Sequence, residues 1–267
     1  MKYHIVTLGC PKNNVDSEGM DSILVGEGHR RTETPEEADV IIVNTCSFIA
    51  AARDETLGVL GELGTQKRPG QRLIAAGCMA QSHRDLVARV VGVDATLSTQ
   101  QWMQIGQLVG QSQRATARHL PVIDLTPGPR VASTSLRADP SPSPQPPDRE
   151  SYADWRTAQI RRSRSAPSAY LKISDGCNLR CAFCTIPSFK GDMASKPIAA
   201  ILTEAQDLVA LGVREIVLVA QHLTEYGRDL GLTDGLAILL EELCQVLPRQ
   251  AWLRLMYAYP HGISERL

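Results

Sequence analysis

Three apolar, strand-like runs in the N-terminal part of this chain each end in a cysteine. IVTLGC closes at Cys10, VIIVNTC at Cys46 and RLIAAGC at Cys78. A helical pattern follows each run, over residues 16–27, 49–63 and 82–90. Strands alternating with helices predict a parallel sheet with helices on its faces. Residues just beyond the carboxyl ends of neighbouring parallel strands share one edge of the sheet, where open α/β folds place ligands. Three cysteines far apart in sequence can therefore meet through topology alone. Residues 93–97 read as a fourth strand and 102–108 as a closing helix.

The composition then changes. Eight of the sixteen prolines fall between Pro121 and Pro147, and one stretch reads DPSPSPQPP. Such a segment holds neither a helix nor a central strand, so 111–167 reads as a linker. It separates an N-terminal domain, 1–110, from a second domain, 168–267. The second domain opens with a strand over 170–173 and a cysteine loop. A helix over 197–211 follows, with proline in its first turn and Gly212 as its stop. Then come a strand over 215–220, a helix over 236–247 and a strand over 252–257, with the start of another helix at 263–267. Three such units do not close a barrel, and the last strand would present an unpaired apolar edge. The expected architecture is α/β: a doubly wound parallel-sheet domain plus the first part of a (β/α) barrel that continues beyond Leu267.

Lys and Arg number 28 against 29 Asp and Glu, a net charge of -1, which excludes a polybasic nucleic-acid coat or an acidic tail. Positive charge concentrates in 149–196, including Arg161, Arg162 and Arg164, either a solvated face or a contact surface for RNA or the ribosome. No apolar run reaches the ~20 residues of a membrane span and no signal-peptide pattern opens the chain, so the expectation is a cytoplasmic protein without membrane attachment. Seven cysteines, an odd number, argue against a disulfide framework.

Cys177-Asn-Leu-Arg-Cys181-Ala-Phe-Cys184 has the spacing C-x3-C-x2-C. Three thiolates so close can wrap one cuboidal iron–sulfur cluster, which ordinarily takes four cysteines, leaving one iron open to a small molecule. A zinc site is the alternative, although the nearest upstream histidine is His119. For Cys10, Cys46 and Cys78 the alternatives are a second cluster, a zinc ion or three separate buried thiols.

The segment SDGCNLRCAFCTIP resembles the cluster motif of the radical S-adenosylmethionine superfamily. The resemblance implies a 4Fe–4S cluster on Cys177, Cys181 and Cys184, with S-adenosylmethionine on the open iron as the source of a 5′-deoxyadenosyl radical. The N-terminal half resembles the methylthiotransferases, whose auxiliary 4Fe–4S cluster would fall to Cys10, Cys46 and Cys78. LGCPKNNVDSE, NTCSFIAAARDE, CTIPSFKGD, VLVAQHLTEYG and WLRLMYAYP are similar to the RimO type. That type implies methylthio insertion at the β-carbon of an aspartate in the twelfth small-subunit ribosomal protein. A ribosomal partner, an external electron donor and a sulfur donor are implied with it, and S-adenosylmethionine serves as methyl donor and radical source. The alternatives are the transfer-RNA type, which usually has glutamine where this chain has Pro11, and a non-catalytic metal-binding fragment. A C-terminal TRAM domain, usual in the family, is not in this sequence.

By the same resemblance, Gln221 lies where these enzymes contact the methionine amino group, and Phe183 packs near the adenine or else in the core. Lys190 and Lys196 stand where arginine is usual, an exchange expected to loosen contact with a carboxylate and to bear on substrate affinity more than on reaction class. His222 stands where an aspartate or asparagine is common. Cys244, on the apolar pattern of LLEELCQVL, reads as a buried structural thiol. Gly26 and Gly28 read as a helix stop rather than a dinucleotide fingerprint.

Overall fold

The computed structural model describes residues 1–111, 123–124, 154–158, 160–162 and 166–267; the DPSPSPQPP stretch and Arg164 lie outside them. The N-terminal unit runs β1 (Lys2–Thr7), α1 (Pro11–Gly26), β2 (Arg30–Arg31), β3 (Val40–Thr45), α2 (Ala50–Gln66), β4 (Arg72–Gly77), α3 (Cys78–Ser82), α4 (Arg84–Ala88), β5 (Ala95–Ser98), α5 (Ile105–Gln111) and β6 (Ile123–Asp124). Its strands form one parallel sheet in the order β2-β1-β3-β4-β5-β6. β3 shows why: all six residues of VIIVNT are buried, as a strand covered on both faces requires. Val40 and Ile42 face a cluster with Val15, Met20 and Leu24 of α1 and Ile105 and Leu108 of α5. Ile41 and Val43 face the opposite cluster with Leu60, Met79 and Val87. The period of two sends alternate side chains to opposite faces. The direction of strand addition reverses between β1 and β3, which makes that boundary the topological switch point.

Several boundaries differ from the sequence expectation. α1 begins at Pro11, because proline fits the first helical position and Cys10 is already extended, with φ -98 and ψ 166. The third helix begins at Cys78 and breaks at His83, whose φ of -135 and ψ of 46 are not helical. β2, two residues long, carries no periodic signal. The stretch read as linker contributes β6 to the sheet edge and Ile160 to the N-terminal core.

The second unit runs β7 (Ser168–Lys172), β8 (Ser174–Asp175), α6 (Ile186–Lys190), β9 (Ala194–Ser195), α7 (Ile198–Ala210), β10 (Glu215–Val219), α8 (Gly235–Val246) and β11 (Trp252–Leu255). β7, β10 and β11 form a parallel sheet in the order β11-β10-β7, and β8 pairs antiparallel with β9. Leu171, Ile216 and Leu218 pack under α7 and α8 with Ile201, Leu208, Leu239 and Leu243. The alternate residues of β7 turn the other way: Tyr170 packs on the N-terminal core and Lys172 reaches Asp16 of α1. The helix expected over 263–267 is absent; a single 3-10 turn, Pro260–Gly262, ends before it.

Candidate functional site

The first three cysteines stand at the carboxyl ends of β1, β3 and β4, held there by short polar side chains. Asn13 Nδ2 donates to Leu8 O at 2.9 Å and Thr45 O at 3.0 Å. Asn44 Nδ2 donates to Asn13 O at 2.9 Å and Ser17 Oγ at 3.0 Å. Thr45 Oγ1 donates to Ala76 O at 2.6 Å and accepts from Met79 N at 3.1 Å. These three residues tie the turns after β1, β3 and β4 into one network. Sequence reasoning missed them; the signal available was the polar Asn44-Thr45 pair ending an otherwise apolar β3, with Asn13 in the first turn of α1.

Glycines let the turns approach. Gly9 takes φ +88, and a Cβ there would lie 2.7 Å from Cys46 Sγ. Gly77 takes φ +94, and a Cβ there would lie 2.3 Å from Asn44 Oδ1. Both the left-handed backbone and the space exclude a side chain. Cys46 and Cys78 are buried and Cys10 is half-buried. Cys78 Sγ lies 3.9 Å from Asn13 Oδ1, and burial pushes its thiol up to about 12, with Lys190 opposing and Cys10, Asp175 and Asp16 adding. The neighbours in that field come from both units.

The second set lies on the loop between β8 and α6. Gly176, at φ +81, turns the chain so closely that a Cβ would meet Asp192 O at 2.3 Å. Cys177 N donates to Gly191 O at 3.2 Å, and Cys184 N to Cys181 O at 3.0 Å. Arg180 Nη1 donates to Cys177 O at 2.9 Å, and Arg180 also pairs with Asp192. Cys177 is buried; Cys181 and Cys184 are half-buried. Phe183 is 87% exposed, so it is not a core aromatic.

Gln221 follows β10. Its Nε2 donates to Asp175 Oδ1 at 2.6 Å, and its buried Oε1 has no partner. An orphaned acceptor beside the cysteine loop suits a ligand that brings an N–H. His222 is buried with an unpartnered Nε2, its ring edge-on to Tyr259 at 5.5 Å, and burial lowers its basicity. Tyr257, beyond β11, takes φ +65, rare for a bulky residue, and its ring lies 4.4 Å from Lys12 Nζ.

Among the described residues all seven cysteines are free. No three His, Cys, Asp or Glu side chains among those residues are gathered to hold one metal ion. Three soft thiolates per set are donors that suit an iron–sulfur cluster or a zinc ion.

The carboxylates that Lys190 and Lys196 contact lie within the chain: Lys190 pairs with Asp175 at 2.9 Å, and Lys196 with Glu204. Two expectations need correction. Arg162 is no RNA-facing cation, since it is buried between Glu18 at 2.5 Å and Glu204 at 3.1 Å. Cys244 is exposed, because the helix turns Leu239 and Leu243 inward and the next position falls outside that stripe.

Residues 2–98 match the Uncharacterized protein family UPF0004, and residues 171–255 the Radical SAM superfamily. Over all of its length the chain is 72% identical to the ribosomal protein uS12 methylthiotransferase RimO of Chloroflexus aurantiacus, of which it covers 56%. It is 63% identical to the protein of the same name from Roseiflexus sp. strain RS-1, covering 55%. The chain thus spans about half the length of these curated relatives. Among solved structures it is similar to the radical S-adenosylmethionine methyltransferase TsrM from Kitasatospora setae, with cobalamin and a 4Fe–4S cluster bound. The TM-score is 0.58 at 16% identity, over 91% of this chain and 51% of that one, a likeness of fold alone. Among the described residues no helix is long and apolar enough to cross a membrane.

Proposed function

We propose that the chain, similar over its whole length to proteins named RimO and matching the Radical SAM superfamily over residues 171–255, is a methylthiotransferase of the RimO type and serves methylthio insertion at the β-carbon of an aspartate in the twelfth small-subunit ribosomal protein. One observation carries the reading most. One set of three free cysteines stands at the strand ends of the N-terminal parallel sheet and the other on the loop between β8 and α6, and the segments that bear them meet across one interface, with α3 against α6. Lys12 Nζ donates to Ala220 O at 3.5 Å and Gln100 Nε2 to Phe189 O at 3.0 Å across the same boundary.

In this reading 1–110 is the sulfur-delivering domain, 111–167 the linker and 168–267 the radical domain. Cys10, Cys46 and Cys78 hold the auxiliary 4Fe–4S cluster, and Cys177, Cys181 and Cys184 the radical one. When bound, the two clusters and S-adenosylmethionine supply the electron, the hydrogen-abstracting radical and the methylated sulfur. The residues of the chain bind and orient. Gln221 Oε1 accepts from the methionine amino group, and Asp175 fixes that amide by taking Nε2 at 2.6 Å. Phe183, exposed on the cysteine loop, covers the adenine. Electrons and sulfur come from outside donors, and a ribosomal substrate places the protein in the cytoplasm.

The test is mass spectrometry of the ribosomal peptide and of digested transfer RNA from a strain lacking the gene. Loss of the methylthio group from the aspartyl peptide, restored by complementation, is expected. A change confined to a transfer-RNA adenosine would reassign the substrate.

A further inference from the structure

Between the two units lies a set of charges of which the proposed chemistry uses only Asp175, as the partner of Gln221. Asp16, on α1, is buried with 3% of its side chain exposed, as are Lys172 at 0% and Lys190 at 4%. Lys172 Nζ donates to Asp16 Oδ1 and lies 3.3 Å from Asp175 Oδ2. Lys190 Nζ donates to Asp175 Oδ2 at 2.9 Å and lies 3.7 Å from Asp16 Oδ2. The two lysines and two aspartates balance. Each lysine touches both carboxylates, so the four charges close a ring.

The chain positions of these residues give the ring its meaning. Cys10 caps the helix that carries Asp16. Asp175 precedes Cys177 by two residues, and Lys190 ends the short helix after Cys184. Asp16 is the ring member from the N-terminal unit. A buried ion set of this kind adds little net stability over apolar packing, yet it tolerates only one geometry, since a displaced partner leaves a charge uncompensated. α1 is held at two further points, on a face turned away from Asp16: Arg162 on Glu18 at 2.5 Å, and Arg161 N on Ser22 Oγ at 3.0 Å. These restrain the helix, while the ring sets its register against the cysteine loop.

We propose that Asp16 is a positioning residue: through Lys172 and Lys190 it locks the helix capped by Cys10 onto the segments flanking Cys177 and Cys184, and so fixes the separation of the two cysteine sets. The proposal deepens the function proposed above and rests on it.

The test uses the chain itself with Asp16→Asn, the conservative Asp16→Glu and the charge-balanced Asp16→Asn/Lys172→Gln. In the metal-free protein, amide hydrogen exchange is followed over 11–20 and 168–176, with 41–43 as the internal reference. Asp16→Asn is expected to raise exchange in the first two segments about tenfold and leave the third unchanged. Asp16→Glu restores much of the protection. In the reconstituted protein, pulsed dipolar EPR between the reduced clusters is expected to broaden in distance for Asp16→Asn, with iron content unchanged. The charge-balanced pair should fold as well as the parent and still show the broadening, because the bridge is gone while the charge is balanced. Exchange that rises equally at 41–43 would mean a merely structural role and overturn the proposal. So would an unchanged distance distribution. If the parent chain holds fewer than two clusters, the proposed function fails, while the exchange experiment still decides whether Asp16 locks the units together.

Discussion

Cys10, Cys46 and Cys78 each end a different strand of one sheet, while Cys177, Cys181 and Cys184 share a single loop. The first set is placed by long-range structure. Its spacing follows from strand pairing, from the Asn13–Asn44–Thr45 network and from glycines that no side chain can replace. The second set is placed by local sequence, with Gly176 and the Arg180–Asp192 pair bending the loop. Geometry stored in a packed core survives without a ligand, whereas geometry stored in a loop is ordered more cheaply by the ligand itself. The difference suits the proposed roles: a fixed sulfur source beside a loop that must admit S-adenosylmethionine.

The largest expected effects separate the two sets outright. Alanine at Cys177, Cys181 and Cys184 together should abolish S-adenosylmethionine cleavage and lower iron from about eight to about four per chain, measured by iron assay and 5′-deoxyadenosine formation. Next in size is Gly77→Ala, which forces a side chain at φ +94 against Asn44 Oδ1. It should cost roughly 2–4 kcal/mol, read as a lower Tm of the metal-free chain. Gly176→Ala should instead spare that melting transition and weaken iron binding by the loop set. If both glycine variants melt alike, the contrast between core-held and loop-held cysteines collapses.

Gln221→Ala should raise the S-adenosylmethionine concentration needed for half-maximal cleavage about tenfold, the worth of one good hydrogen bond, with iron unchanged. Acid should act on the interface through Asp175. Burial pushes its carboxyl up, but Lys172 and Lys190 outweigh that and hold it well below the usual carboxylate range. A folded-state pKa below the unfolded one gives stability that is complete above about pH 4 and is lost as pH falls through the folded value. Urea titrations from pH 7 downward should therefore show a shallower acid loss in Asp175→Asn than in the parent. The smallest effect belongs to Cys244→Ser, which should change stability by less than about 0.5 kcal/mol and iron content not at all.

Sequence legibility divides along the same line. The strand-then-cysteine register and the unbroken apolar run at the start of VIIVNT announce a doubly wound sheet, because burial on both faces writes itself into consecutive residues. The C-x3-C-x2-C loop is legible because its cysteines are neighbours in sequence. Partners distant in sequence are not legible: nothing near Lys190 points to Asp16, nor near Arg162 to Glu18, since those pairs exist only after the two units dock. Cys244 misleads for a different reason. It adjoins the buried stripe of α8, and one residue's rotation around a helix separates core from solvent. β2 escapes because two residues have no period.

The central claim is that one chain holds two iron–sulfur clusters and that one of them meets S-adenosylmethionine. The direct measurement is anaerobic reconstitution with iron and sulfide, followed by iron counting and the reduced EPR spectrum with and without S-adenosylmethionine. About eight irons per chain, with one of two signals changed by S-adenosylmethionine, is the expected result. Zinc in place of iron, or iron whose spectrum ignores S-adenosylmethionine, would contradict it.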